Sequence, residues 1–308
     1  MKKYYILSCM MIISFYLNAQ VVESFYNDED KNLAESYRIA AEKGDADAQY
    51  YLGWMYAHGK GVAKNENMAV KWYRKAAEQG IVRAQCNLGW RYANGRGVRK
   101  NEVKAVEWYR KAAEQGNADA QCNLGWMYEN GRGVEKDEVK AIEWYRKAAI
   151  QDDAYAQYNL GWMYENGRGV EKDDAKAVVW YRKAAKQGDS DAQYYLGRMY
   201  ENGRGVAKDE ASATEWYRKA AEQGEARAYK ALAYLEANKG NFDEAVATID
   251  KAIQLQPNDP NYYDSKGEFL LKKGDKGGAK AMWNKVVSLD PKYSDNNSTL
   301  YKLLFTFN

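Results

Sequence analysis

Catalysis has few of its usual residues in this chain. One His, His58, rules out a multi-histidine metal site and argues against a His-based triad. Three Cys, Cys9, Cys86 and Cys122, cannot build a four-cysteine zinc site or a disulfide-dense scaffold. No Gly-x-x-x-x-Gly-Lys-Ser/Thr, Gly-x-Ser-x-Gly, Ser-x-x-Lys, Cys-x-x-Cys or His-Glu-x-x-His run is present, and the Gly-x-Gly triplets lack the third glycine and preceding strand of a dinucleotide site. The sequence is instead rich in aromatics, with ten Trp and 27 Tyr, and Trp54, Trp90, Trp126 and Trp162 recur every 36 residues. Regularly spaced indoles suit the side chains of an extended peptide or the faces of sugar rings. Binding without metal or cofactor is the chemistry to expect.

The spacing of those Trp comes from elements that repeat. Gly53-Trp54-Met55-Tyr56 returns at Gly89, Gly125, Gly161 and Gly197. Trp-Tyr-Arg-Lys-Ala-Ala keeps the same period from Trp72, Trp108, Trp144, Trp180 and Trp216, and Gly-x-Gly-Val does so from Gly59, Gly95, Gly131, Gly167 and Gly203. Ala48, Leu52 and Tyr56 lie at i, i+4 and i+8, and Ala69, Tyr73, Ala76 and Ala77 repeat the pattern, so each unit predicts two amphipathic helices. Gly59 and Gly61 bracket the reversal between them, needing positive φ or a close backbone approach, with Val62 as an apolar plug. Gly80, Gly116, Gly188 and Gly224 suit left-handed caps after the second helix, and Asp152 replaces that glycine once. Trp54, Trp90, Trp126 and Trp162 fall two residues after Leu52 and its equivalents. They are therefore turned about 200° from that Leu on a helix.

Two ends depart from the repeat. Met1-Lys-Lys-Tyr-Tyr precedes a largely apolar run from Ile6 to Leu17, and Leu17-Asn18-Ala19 places a small residue before Gln20, so residues 1–19 read as a secretory signal peptide. The apolar run is shorter than the roughly 20 residues a spanning helix needs, and no later stretch approaches that length. An exported protein, periplasmic or extracellular and without a transmembrane segment in the mature chain, is expected. After Gly224 the period shortens: Gly240, Ala245, Ala252 and Leu255-Gln-Pro257 are echoed 34 residues later by Gly274, Ala279, Val286 and Leu289-Asp-Pro291.

The 36-residue unit resembles the Sel1-like repeat family, whose pattern is an Ala-x-x-x-Leu-Gly-x-x-Tyr helix, a Gly-x-Gly-Val loop and an Ala-x-x-Trp-Tyr-x-x-Ala-Ala helix. The 34-residue unit resembles the tetratricopeptide repeat. The resemblance implies an all-α chain, one right-handed α-solenoid of stacked helical hairpins, used for protein–protein contacts. The expected organisation is a signal peptide (1–19), a segment with a capping half-repeat helix (20–44), five Sel1-like repeats (45–224), two tetratricopeptide-like repeats (225–293) and a terminal helix (294–308) carrying Leu300, Leu303 and Leu304 inward. In the second tetratricopeptide unit Lys266 stands where an apolar residue is usual and Gly277-Gly278 where acids are usual, so its second helix is expected to be weak or shifted. The Trp72 series is prescribed by the Sel1-like pattern and belongs between hairpins. Arg74-Lys75 and its equivalents read as a solvated pair favoured by the helix terminus.

By analogy with tetratricopeptide arrays, the first helix of each hairpin lines a concave groove. The groove residues carried over are Trp54, Trp90, Trp126 and Trp162, followed in register by Arg198; Tyr50, Tyr158 and Tyr194, with Cys86 and Cys122 in the same register; and Glu129, Glu165 and Glu201, where the first two units have Ala57 and Ala93. Asp47, Arg83, Asp119, Tyr155 and Asp191 begin that face, and Asn94, Asn130, Asn166 and Asn202 edge it, with His58 in the first unit. The expectation is an aromatic floor with an acidic edge, in which the Trp54 series either meets a ligand or packs on itself and neighbouring helices to complete the solenoid. Neighbouring hairpins at about 9 to 10 Å would hold Cys86 and Cys122 beyond the roughly 7 Å reach of a disulfide. Charge is nearly balanced, 46 basic residues against 43 acidic, which argues against a nucleic-acid partner. A protein or peptide partner is the first reading, and a cell-wall glycan the second. A β-lactam hydrolase, suggested by cysteine-rich exported Sel1-like proteins, is a third, weakened because this chain lacks their paired cysteines.

Overall fold

The computed structural model describes residues 28–291 together with Tyr293, Leu300, Tyr301 and Leu304. The signal-peptide reading of residues 1–19, Cys9, and Leu303 with most of segment 294–308 lie outside the described residues. Among those described, regular structure is entirely helical. They fall into two compact units that divide between Gln151 and Asp152.

The first unit holds α1 (residues 28–42), α2 (Ala46–His58), α3 (Glu66–Glu78), α4 (Val82–Asn94), α5 (Glu102–Glu114), α6 (Ala118–Asn130) and α7 (Glu138–Ala149). The second holds α8 (Ala154–Asn166), α9 (Asp174–Lys186), α10 (Ser190–Asn202), α11 (Glu210–Glu222), α12 (Ala226–Asn238), α13 (Phe242–Leu255), α14 (Pro260–Lys273) and α15 (Lys276–Leu289). Even-numbered helices from α2 onward pair with the helix that follows, and within each unit one hairpin's second helix packs on the next hairpin's first. Starts are set by side-chain caps: Asn65, Asn101, Asp137, Asp173 and Asp209 each accept an amide N–H of the first turn of the second helices. Such a cap is worth about 1 kcal/mol.

The core repeats as the sequence does. Leu52, Leu88, Leu124, Leu160 and Leu196 are fully buried, as are Tyr109, Tyr145, Tyr181 and Tyr217 or nearly so. The Gly beside each Leu lets the hairpin close: a Cβ on Gly161 would sit 2.6 Å from the Tyr181 ring. In the loop, Gly131 and Gly133 both take positive φ, 63° and 67°. Their needs differ. A Cβ on Gly131 would meet nothing nearer than Lys136 Cβ at 3.2 Å, whereas on Gly133 it would lie 2.2 Å from the Glu102 carbonyl oxygen. Gly131→Ala should therefore cost about 1 kcal/mol of left-handed strain, and Gly133→Ala about 3 kcal/mol or more as strain and backbone overlap add. Equal shifts in urea midpoint for the two variants would contradict this reading.

Buried glutamines join the helices, a role the sequence reading does not assign them. Gln121 Nε2 donates to the Ala113 carbonyl at 3.0 Å and its Oε1 accepts from Gln151 Nε2 at 2.8 Å. Gln85 makes the same pair of bonds with Ala77 and Gln115, and Gln193 with Ala185 and Gln223. Each links the end of the preceding second helix to the end of its own hairpin.

Three expectations are corrected by side-chain partners. Arg74-Lys75 is more than a solvated pair: Arg74, Arg110 and Arg182 donate to the hydroxyls of Tyr92, Tyr128 and Tyr200 on the next hairpin at 2.8 to 2.9 Å. Lys75, Lys111, Lys147, Lys183 and Lys219 lie 4.0 to 4.6 Å from the ring centroids of the Trp three residues earlier. Those cation–π contacts correct the Trp series too. Trp72 is buried, but Trp108, Trp144, Trp180 and Trp216 are half-buried, one side against the helices and the other under a lysine. In the last repeat, α15 forms normally because Asp275 caps Gly278 N at 2.8 Å, and a Cβ on Gly278 would overlap that carboxylate. Lys266 pairs with Asp250 at 2.6 Å. Leu300 is buried, over Gly267.

Loop arginines tie consecutive repeats. Arg132 donates to Glu102 at the start of α5, and with Lys100 it holds that carboxyl down at about 2. A carboxyl depressed on folding adds stability above its unfolded value near 4.3 and loses it as pH falls through the folded one. Acid should thus loosen this loop between about pH 4 and pH 2. In a carbon-detected NMR titration Glu102 should titrate near the bottom of that window, and Arg132→Gln should return it toward the ordinary range.

Candidate functional site

The first helices place the predicted groove residues, and each unit shows one arrangement of them. In the first unit a cavity of 520 Å³ is lined by Trp54 and His58 from α2 and by Trp90, Arg91 and Arg96 from α4 and its loop. The His58 ring stacks on Trp54 with centroids 4.3 Å apart, and its Nδ1 lies 2.8 Å from the Trp54 carbonyl oxygen. Trp90 is 45% exposed, the most open of the four groove indoles. Tyr50, expected on the surface, is buried: it meets Tyr51 and Tyr73, and the Arg83 guanidinium covers it at 5.1 Å. Trp126 is half-buried, with Arg132 5.7 Å from its ring.

In the second unit Trp162 shares a cavity of 390 Å³ with Asn166, Tyr195, Arg198 and Arg204. Arg168 lies 5.3 Å from the Trp162 ring. Tyr158 packs on Tyr155, Tyr181 and Tyr195, and Tyr194 on Tyr195 and Tyr217, so both are half-buried members of an aromatic cluster. Asn130 and Asn166 remain at the edge, each amide donating to the carbonyl of the Trp one turn earlier at 3.0 and 2.8 Å.

The acidic edge is corrected most. Glu129, Glu165 and Glu201 each accept a hydrogen bond from the hydroxyl of a buried tyrosine in their own hairpin: Tyr145 at 2.8 Å, Tyr181 at 2.8 Å and Tyr217 at 2.6 Å. Glu165 is only 6% exposed and also pairs with Arg204 at 2.9 Å. Burial, then the adjoining carboxylate, pushes the Tyr181 and Tyr217 phenols far above their usual range, which keeps them as donors. These acids close the hairpins from within.

Cations appear on the groove side instead. Arg91 is buried where other units carry Met, pairs with Glu66 and lies 5.2 Å from the Tyr73 ring. Arg198 stands where four units carry Trp, with its guanidinium 5.3 Å from Tyr195. Both breaks in the repeat are visible in sequence; their consequence needs the neighbouring helix. Cys86 and Cys122 are buried, and burial pushes the Cys86 thiol up to about 12, which disfavours its thiolate. Among the described residues no group of His, Cys, Asp or Glu could hold a metal ion, and no helix is long and apolar enough to cross a membrane.

Stacked helical hairpins with an aromatic and cationic face define a helical-repeat protein. Five Sel1 repeats match residues 46–81, 82–117, 118–153, 154–189 and 190–225, and tetratricopeptide repeats match 226–269 and 260–293. The chain belongs to the Sel1 repeat family. A Sel1 repeat protein from Oxalobacter formigenes is 34% identical, with a TM-score of 0.62 over 71% of this chain and 96% of its own. The protein c5321, a protective antigen present in uropathogenic Escherichia coli strains displaying an SLR fold, is 32% identical with a TM-score of 0.62 over 88% of this chain and 70% of its own. No protein of curated function matches. Repeat proteins of this type generally serve as protein–protein interaction scaffolds, binding proteins or peptides.

Proposed function

We propose that this chain is a non-enzymatic scaffold of the bacterial cell envelope that captures an extended segment of a partner protein on the faces of its first helices. The observation that carries this is the pairing of open cavities with half-exposed indoles at one repeat position in each unit, around Trp54 with Trp90 and around Trp162. Repeat arrays present such surfaces as continuous binding faces. A peptide is favoured over a glycan because a cation or imidazole already lies by one face of Trp54, Trp126 and Trp162, leaving less indole for a sugar to cover.

Selection of peptides displayed on phage against the full chain, followed by titration on Trp fluorescence, tests the reading. Replacing Trp54, Trp90 and Trp162 together by Ala should abolish capture with the melting curve little moved. Undiminished capture would overturn the groove, and a collapsed fold would assign these indoles to packing. Saturable quenching by cell-wall fragments but by no peptide would favour the glycan. The envelope location rests on residues 1–19 and is checked by fractionating cells for a shortened chain; an unprocessed cytosolic band defeats it.

A further inference from the structure

The second unit contains a cleft in which the acids and one cation, Arg227, are engaged and two further cations, Arg198 and Lys230, form no ion pair among the described residues. It has a volume of 460 Å³ and is bounded by α10, α12 and the start of α14. Among its acids, Glu201 accepts from the Tyr217 hydroxyl and Asp259 caps α14 by accepting from Asn261 N at 2.9 Å. Arg227 is neutralised: it pairs with Glu225 at 2.8 Å and with Asp191, and it packs 4.7 Å from the Tyr194 ring.

Arg198 and Lys230 differ from it. Arg198 rests on Tyr195 and Tyr194, 5.3 and 6.0 Å from their centroids, and forms no ion pair among the described residues. Lys230 is half-buried and likewise forms none. Burial lowers its pKa, while Asp264, Asp259 and Glu268 act at longer range in the opposite direction. A half-buried ammonium without a paired anion is costly, and a ligand carboxylate that completes it gains more than one meeting a solvated lysine. The departures from the repeat lead to the same place: Arg198 replaces the Trp of four units, and Lys230 falls where the preceding repeats have Tyr158 and Tyr194.

We propose that this cleft binds an acidic peptide segment, with a Glu or Asp side chain of the ligand meeting Arg198 and Lys230 above the Tyr194 ring. The assignment rests on the scaffold reading and names the chemistry of its ligand. It predicts that the second unit supplies the charge selectivity of capture.

The probe is a fluorescein-labelled, carboxy-amidated peptide alternating Glu and Leu, compared by anisotropy on the full chain with its Gln counterpart and a Lys counterpart. The Glu peptide should bind at least about tenfold more tightly than either, and less tightly as salt is raised. Arg198→Trp installs the residue that four repeats already carry, so it should keep the fold while weakening the Glu peptide about tenfold; Lys230→Met, which keeps most of the apolar stem, should do the same. Equal binding of Glu and Gln peptides, or variants indistinguishable from the parent, would overturn the inference. If Gln or Lys peptides bind instead and respond to the triple Trp substitution, the scaffold survives and its acidic ligand does not. If no peptide binds, neither does.

Discussion

Replacing Gln121 by Leu is expected to cost about 2 kcal/mol. The side chain is buried and spans two helix ends, donating to the Ala113 carbonyl and accepting from Gln151. Leucine has a similar volume, so no large cavity opens, and the loss is polar: the Ala113 carbonyl is left with backbone donation from Gly116 and the exposed Gln151 amide with its bond to the Lys147 carbonyl, so two hydrogen bonds disappear from the joint. Each such hydrogen bond is worth about 1 kcal/mol net. The control is Gln151→Ala, which removes only the exposed member and should cost less than about 1 kcal/mol, because Gln121 keeps its bond to the helix end. Urea denaturation measures both. A Gln121→Leu midpoint as high as that of Gln151→Ala would mean that the glutamine pairs carry no weight in joining hairpins.

Arg204→Met is the second large effect, about 2 to 3 kcal/mol, because it strands a buried carboxylate. Glu165 has two donors, the Tyr181 hydroxyl at 2.8 Å and Arg204 at 2.9 Å. With the guanidinium gone, one phenol must stabilise a charge that is almost wholly out of water. Arg204 also reaches Asp174 at the start of α9, a carboxylate that the helix terminus supports by itself. Adding Glu165→Ala should recover much of the loss, since Ala is what the first two repeats carry at this position, at Ala57 and Ala93. Tyr109 shows that the buried phenol can sit in such a repeat, fully packed, with no carboxylate beside it. Additive losses in the double variant would mean that Glu165 is satisfied without Arg204.

The candidate site was only partly legible in sequence. The positions of Trp54, Trp90, Trp126 and Trp162 followed from helical geometry, because two residues past Leu52 is the far side of any α-helix. That Tyr50 would be buried while Tyr158 and Tyr194 stay half-buried did not follow. All three share one register, and their fates turn on whether a neighbouring helix offers Arg83, Tyr195 or Arg227. The glutamates misled for a similar reason. Glu129, Glu165 and Glu201 sit near a helix end, where sequence suggests solvent, yet each reaches a phenol 16 residues later.

What the sequence determined was whatever a short window encodes: the 36-residue and 34-residue periods, paired amphipathic helices, caps, and glycines at the reversal. Such features depend on local φ and ψ preferences and on which side of a helix is apolar, and a repeated pattern states them several times over. The tertiary structure alone decided which polar side chains are spoken for. Arg74 finds Tyr92 18 residues away, Gln151 finds Gln121 30 away, and Arg227 finds Asp191 36 away. Those partners come together only when separate helices pack, so a charge that looks available in sequence can be consumed inside the stack. Arg198 keeps aromatic rings beneath it and forms no ion pair among the described residues.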